Sequence, residues 1–120
     1  MIKSLTFLKR KAGITPEQFR KHYEEVHAPL ASNYMPTATR YFRRYITAEA
    51  NPTVGNVTSL DIDVITELWF ETREDFEKTM AIFASPEVRA IIAADEENLF
   101  DRDHIKLVTV NECETELVSA

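Results

Sequence analysis

The chain is poor in glycine, cysteine and histidine: of 120 residues, two are Gly, one is Cys and three are His. Two glycines leave no room for a Gly-rich phosphate loop, so nucleotide-binding readings that rest on one fall. A single cysteine closes no internal disulfide, and nothing points to secretion. Cys113 and the three histidines show no paired ligand spacing, so a metal site is not expected. No nucleophile-elbow motif supports Ser-His-Asp chemistry. No apolar run approaches the roughly 18 residues of a membrane span. Met1-Ile2-Lys3 reads as the start of a strand rather than a signal peptide, which leaves a cytoplasmic protein as the expectation. Positive charge is also scarce, with 14 Lys+Arg against 20 Asp+Glu and a net charge of -6. That balance argues against nucleic acid and anionic membranes as partners, since both need a basic face.

What is present is an ordinary globular composition, 44% hydrophobic and 28% charged. One domain over residues 1–120 buries roughly 65% of its unfolded surface, enough for a core. Residues 2–9, with Ile2, Leu5, Phe7 and Leu8, read as a first strand. Thr15, Pro16 and Gln18 then form the cap, first turn and capping-box partner of a helix. Its apolar stripe is Phe19, Tyr23, Val26 and Leu30, and Pro29 marks its end. Residues 39–48 read as a second strand and 50–59 as a loop. Asn56-Val57-Thr58 in that loop matches a glycosylation triplet, which is taken as chance in a chain without an export signal. A third strand places Ile62, Val64, Leu68 and Phe70 on one face, with Asp61, Asp63, Ile65, Glu67 and Trp69 opposite.

Thr72 and Asp75 start a second helix striped by Phe76, Met80 and Phe83. Ser85-Pro86 restarts the chain as a helix with Val88, Ile91, Ile92 and Leu99 on one side. Residues 104–112 form a fourth strand. The order βαββαβ is that of an α+β, ferredoxin-like unit with a four-stranded antiparallel sheet. Helices cover one face of such a sheet. The other would expose Ile65 and Trp69, and two copies closing face to face would bury them as a dimeric α/β barrel.

His27 lies one turn after Tyr23, at the edge of the stripe that faces the sheet. It reads either as a general acid or base, or as a histidine at a helix C-terminus bonded to a carbonyl. His22 falls on the other side of Tyr23 and reads as solvent-facing. Asp95 interrupts the stripe of the last helix, so it either lines a polar pocket or belongs to the solvated acidic run Asp95-Glu96-Glu97. His104 reads as a strand-edge residue. The aromatics, Phe83 and Phe100 among them, would crowd a domain this small, and most must be core. Tyr23 beside His27 suggests a cleft with polar handles for a flat apolar ligand.

Arg10 to Phe19, His22-Tyr23 and His27-Ala28-Pro29-Leu30 resemble the opening signature of the EthD family. Arg44-Tyr45, Asp63 to Phe70, Ser85-Pro86, Asp95-Glu96 and Phe100-Asp101 resemble its later blocks, in order, over about residues 3–112. The resemblance implies a dimeric α/β barrel whose relatives include polyketide dehydratases, cyclases and decarboxylases, methylmuconolactone isomerases, and proteins of ether and aromatic degradation. They work without metal or organic cofactor in a cleft between sheet and helices. His27 matches the histidine such enzymes use for proton transfer. Leu68 stands where the methylmuconolactone isomerases carry cysteine, which counts against that particular reaction.

The resulting expectation is a cofactor-free lyase or isomerase acting on a small aromatic, lactone or polyketide-like molecule. His27 and Asp95 are its catalytic candidates, and Tyr23, Tyr45, Leu68, Phe83 and Phe100 its substrate-binding ones. The rival is a non-catalytic carrier of a small apolar metabolite. Heme-dependent or oxygen-dependent chemistry stands third.

Overall fold

The computed structural model describes residues 1–55 and 59–118. The triplet Asn56-Val57-Thr58 lies outside the described residues. Strand β1 (Ile2–Leu8) runs to the turn at Gly13, whose φ of +93° is open to glycine without steric cost. Helix α1 (Pro16–His22) begins with the anticipated capping box: Gln18 N–H donates to the Thr15 hydroxyl, and Thr15 N–H to the Gln18 side chain.

The chain does not leave the helix near Pro29. It passes through a π-helical turn (Tyr23–His27) into α2 (Ala28–Ser32), so helical structure continues for one more short element. Proline lacks an N–H and its ring crowds the carbonyl four residues back, here that of Glu25. The widened turn, in which Ala28 N–H reaches the Tyr23 carbonyl, admits Pro29 without breaking the helix. It also rotates the face. Val26, expected in the apolar stripe, is 46% exposed, whereas His27 and Ala31 are buried with Phe19 and Tyr23.

Strand β2 (Arg40–Tyr45) is shorter than residues 39–48, and β3 (Val64–Phe70) starts after Ile62. Asp63 still donates its N–H to the Leu8 carbonyl at 2.8 Å, extending the pairing by one bond. Helix α3 (Arg73–Ala84) is capped by Thr72, and Ser85 breaks it from α4 (Pro86–Leu99). Ile91 is 38% exposed and leaves the expected stripe, which Val88, Ile92 and Leu99 keep. His104 belongs to a 3-10 turn (Arg102–His104) rather than a strand; β4 spans only Lys106–Thr109.

The sheet order is β2-β3-β1-β4 with every pairing antiparallel, the α+β, ferredoxin-like arrangement anticipated. Register then decides which side chains meet. Ser4 pairs with Leu68, Thr6 with Thr66, and Tyr41 also with Leu68, so all five point to the helix-covered face. The core on that face divides in two. One cluster centres on Leu8, Phe19, Tyr23, Leu99 and Phe100; the other on Met35, Leu68, Phe70, Phe76 and Ile92.

Candidate active site

A cavity of about 290 Å³ opens at the seam between the two clusters, and both contribute to its walls. Its sheet side carries three Ser and Thr hydroxyls, on Ser4, Thr6 and Thr66, where a strand facing a helix layer ordinarily carries aliphatics. Leu68, Phe83, Ile92 and Phe100 supply apolar wall, and the size suits a small flat molecule.

His27 is part of that wall and is buried. The π turn sets its ring beneath Tyr23, with centroids 5.4 Å apart and nearly perpendicular; Phe100 meets it edge-on at 5.3 Å. Its Nδ1 lies 2.8 Å from Oδ2 of Asp95, and His22 Nε2 lies 2.8 Å from Oδ1 of the same carboxylate. Burial pushes the Asp95 carboxyl up, but hydrogen bonds and charge from His22 and His27 outweigh it and hold the group below its ordinary value. An ionised carboxylate only accepts, so both rings donate to it. In neutral His27 the proton therefore sits on Nδ1, and Nε2 is the unprotonated nitrogen.

Asp95 does not itself line the cavity; it stands behind His27, with a side chain 12% exposed. The helix C-terminal alternative for His27 fails, because the partner is a carboxylate on another helix and not a carbonyl. His22 is not solvent-facing as read from sequence. Its side chain is 31% exposed and shares Asp95. His104 instead pairs with Asp101 at 2.8 Å. Among the described residues no group of three or more His, Cys, Asp or Glu is placed to hold a metal ion.

The substrate-binding candidates separate. Tyr23, Leu68, Phe83 and Phe100 line the cavity. Tyr45 does not: its hydroxyl donates to Glu24 Oε2 at 2.6 Å, and its ring packs on Phe19 and Tyr23 from outside. Position along the strand explains the difference: Tyr45 pairs with Val64 at the far end of β2, while Tyr41, four residues earlier on the same face, pairs with Leu68 and reaches the cavity. Burial raises the pKa of both Tyr23 and Tyr41, so their hydroxyls stay protonated. Tyr41 donates to the Tyr23 hydroxyl, which meets the Thr66 hydroxyl in turn.

Sequence reasoning missed Tyr41, Thr66 and Glu96. Thr66 had a signal, a hydroxyl at a strand position whose neighbours on the same face are Val64 and Leu68. Glu96 had none within the acidic run. The run in fact splits three ways: Asp95 to the histidines, Glu96 to the cavity wall and Arg102, and Glu97 to solvent and Arg102. Burial raises the Glu96 pKa, with Arg102 opposing.

Solved structures with the same fold include an EthD family protein from Bacillus halodurans C-125, 18% identical over 94% of this chain and 100% of that one, at a TM-score of 0.59. The hydroxynitrile lyase of Passiflora edulis is 16% identical over 97% and 96%, at 0.58. SnoaB, a cofactor-independent oxygenase from Streptomyces nogalater, is 11% identical over 95% and 94%, at 0.56. At these identities the likeness is one of fold. A comparison with curated protein sequences gave no match. The sequence profile of the EthD domain, however, matches residues 11–103, which hold α1, the π turn, β2, β3, α3, α4 and thus His22, His27 and Asp95. The chain belongs to the EthD family.

Proposed function

We propose that the protein is a cofactor-independent lyase or isomerase that moves a proton on a small aromatic, lactone or polyketide-like molecule held in the cavity. The observation that carries this reading is the 2.8 Å bond from His27 Nδ1 to Asp95, made by a ring that forms part of the cavity wall. His27 Nε2 takes a proton from a carbon beside a carbonyl. The carbonyl oxygen gains the negative charge and is met by the protonated hydroxyls of Tyr41, Tyr23 and Thr66. The imidazolium, stabilised by Asp95, then returns its proton to another carbon or to a leaving hydroxyl. Positioned acid–base catalysis of this kind contributes about 10²–10⁴-fold.

Two of the solved neighbours are a lyase and a cofactor-independent oxygenase, which supports chemistry of this type on the fold. The test is solvent exchange. In deuterated buffer, the wild type incorporates deuterium beside a carbonyl in members of a panel of aromatic ketones, lactones and β-keto acids, read by NMR. His27→Gln abolishes that incorporation. Binding of panel members without exchange in the wild type would support the carrier reading instead.

We further propose that a second copy covers the open sheet face. Phe7, Phe42, Ile65 and Trp69 lie there half-buried, belted by Lys3, Arg40 and Arg44 stacked on the rings. A mixed aromatic and charged face of this kind suits association between protomers.

A further inference from the structure

The eight arginines of the chain are not equivalent. Arg10, Arg43, Arg44, Arg73 and Arg102 pair with carboxylates, while Arg20 and Arg40 stack on aromatic rings. Among the described residues, Arg89 alone has neither kind of partner, although acidic side chains outnumber basic ones in the chain. Arg89 is also a cavity residue. On α4 it shares a row with Ile92 and Glu96, spaced three and four residues, and all three contribute to the wall. A guanidinium left unpaired at the rim of an apolar cavity, with its fork of donors free, is suited to a planar oxyanion.

Distance along the helix sets the shape of what would bind. Asp95, which holds His27, is six residues beyond Arg89, or roughly 9 Å at the helical rise of 1.5 Å per residue. We infer that the ligand is an elongated apolar or aromatic acid whose carboxylate pairs with Arg89 while its reacting carbonyl end lies at His27. This specifies the substrate class of the cavity and rests on the proton-transfer reading only for the position of the reacting end.

Two fluorescent probes with one aromatic body separate the charge from the apolar contact: 8-anilinonaphthalene-1-sulfonate, which carries an anion, and N-phenyl-1-naphthylamine, which does not. The wild type binds the sulfonate more tightly than the neutral probe. Arg89→Ala weakens sulfonate binding about tenfold and leaves the neutral probe within about twofold. Arg89→Lys recovers part of the loss. Ala31→Phe, which fills the cavity, weakens both probes, and Met80→Trp serves the same purpose should that variant not fold. Sulfonate binding unchanged by Arg89→Ala overturns the inference. So does sulfonate binding that survives the filled cavity, or its absence from the wild type. The exchange assay on the wild type keeps the two proposals apart: an undiminished Arg89 effect on sulfonate binding in a wild type that shows no proton exchange sinks only the catalytic one.

Discussion

His22 and His27, five residues apart on one helical segment, donate to the two oxygens of a single carboxylate, Asp95. In a regular α-helix that separation turns side chains about 140° apart. The π turn between them removes most of the divergence and brings both rings to α4. A backbone irregularity thus assembles a three-residue network whose inner member is a cavity wall.

Asp95→Asn is expected to lower the rate of proton exchange by about 10²–10⁴-fold, because an amide no longer fixes Nε2 of His27 as the unprotonated nitrogen or stabilises the imidazolium. Kinetics under single-turnover conditions measure the loss, with far-UV circular dichroism as the control for folding. A rate within threefold of wild type would remove Asp95 from the mechanism.

His22 bonds Asp95 and does not line the cavity, so a positioning role is expected of it. His22→Gln keeps an N–H donor for Oδ1, whereas His22→Ala does not. The alanine variant is expected to lose about tenfold in kcat with KM little changed, and the glutamine variant to recover most of it. Equal losses in both variants would contradict a positioning role.

The carboxyls of Asp95 and Glu24 both lie below their ordinary values, Glu24 chiefly through its bonds from Arg43. A carboxyl depressed in the folded state binds fewer protons there than in the unfolded chain. Its stabilisation is therefore present above the unfolded pKa and is lost as pH falls through the folded one. The melting temperature should drop on acidification below about pH 4, less steeply in Asp95→Asn. Calorimetry from pH 7 to 3 checks this; identical slopes for variant and wild type would refute it.

Phe100 is buried against Phe19, Tyr23 and His27. Phe100→Ala should cost about 3–5 kcal/mol by urea denaturation, since truncating a buried aromatic leaves a void beside the site. A cost below about 1 kcal/mol would show that the neighbouring rings collapse into the gap.

The open sheet face predicts a solution mass twice that of the chain by light scattering. Trp69→Glu sets a carboxylate beside Glu67, which already accepts from the indole N–H at 2.6 Å, and should yield monomer. A wild-type monomer at micromolar concentration would dismiss the pairing.

The amino-acid order by itself determined the strand and helix sequence, the capping at Thr15 and Thr72, and the two faces of β3. Those features follow from local chemistry and from periods of 2 and 3.6 residues. The same period misplaced Val26 and His22, because a π turn adds a residue that no regular repeat anticipates. Tyr45 was misassigned for a different reason: alternation tells which face of a sheet a residue takes, but not how far along the strand a cavity extends.

What only the tertiary structure decided is the meeting of distant segments. Asp95 stands 68 residues from its partner His27, and within an acidic run its composition alone does not distinguish it from Glu97. Packing α4 against the π turn buries one of these carboxylates and solvates the other. Burial without a partner would be prohibitive for a charge, so the carboxylate that goes inside is the one that finds two imidazoles there.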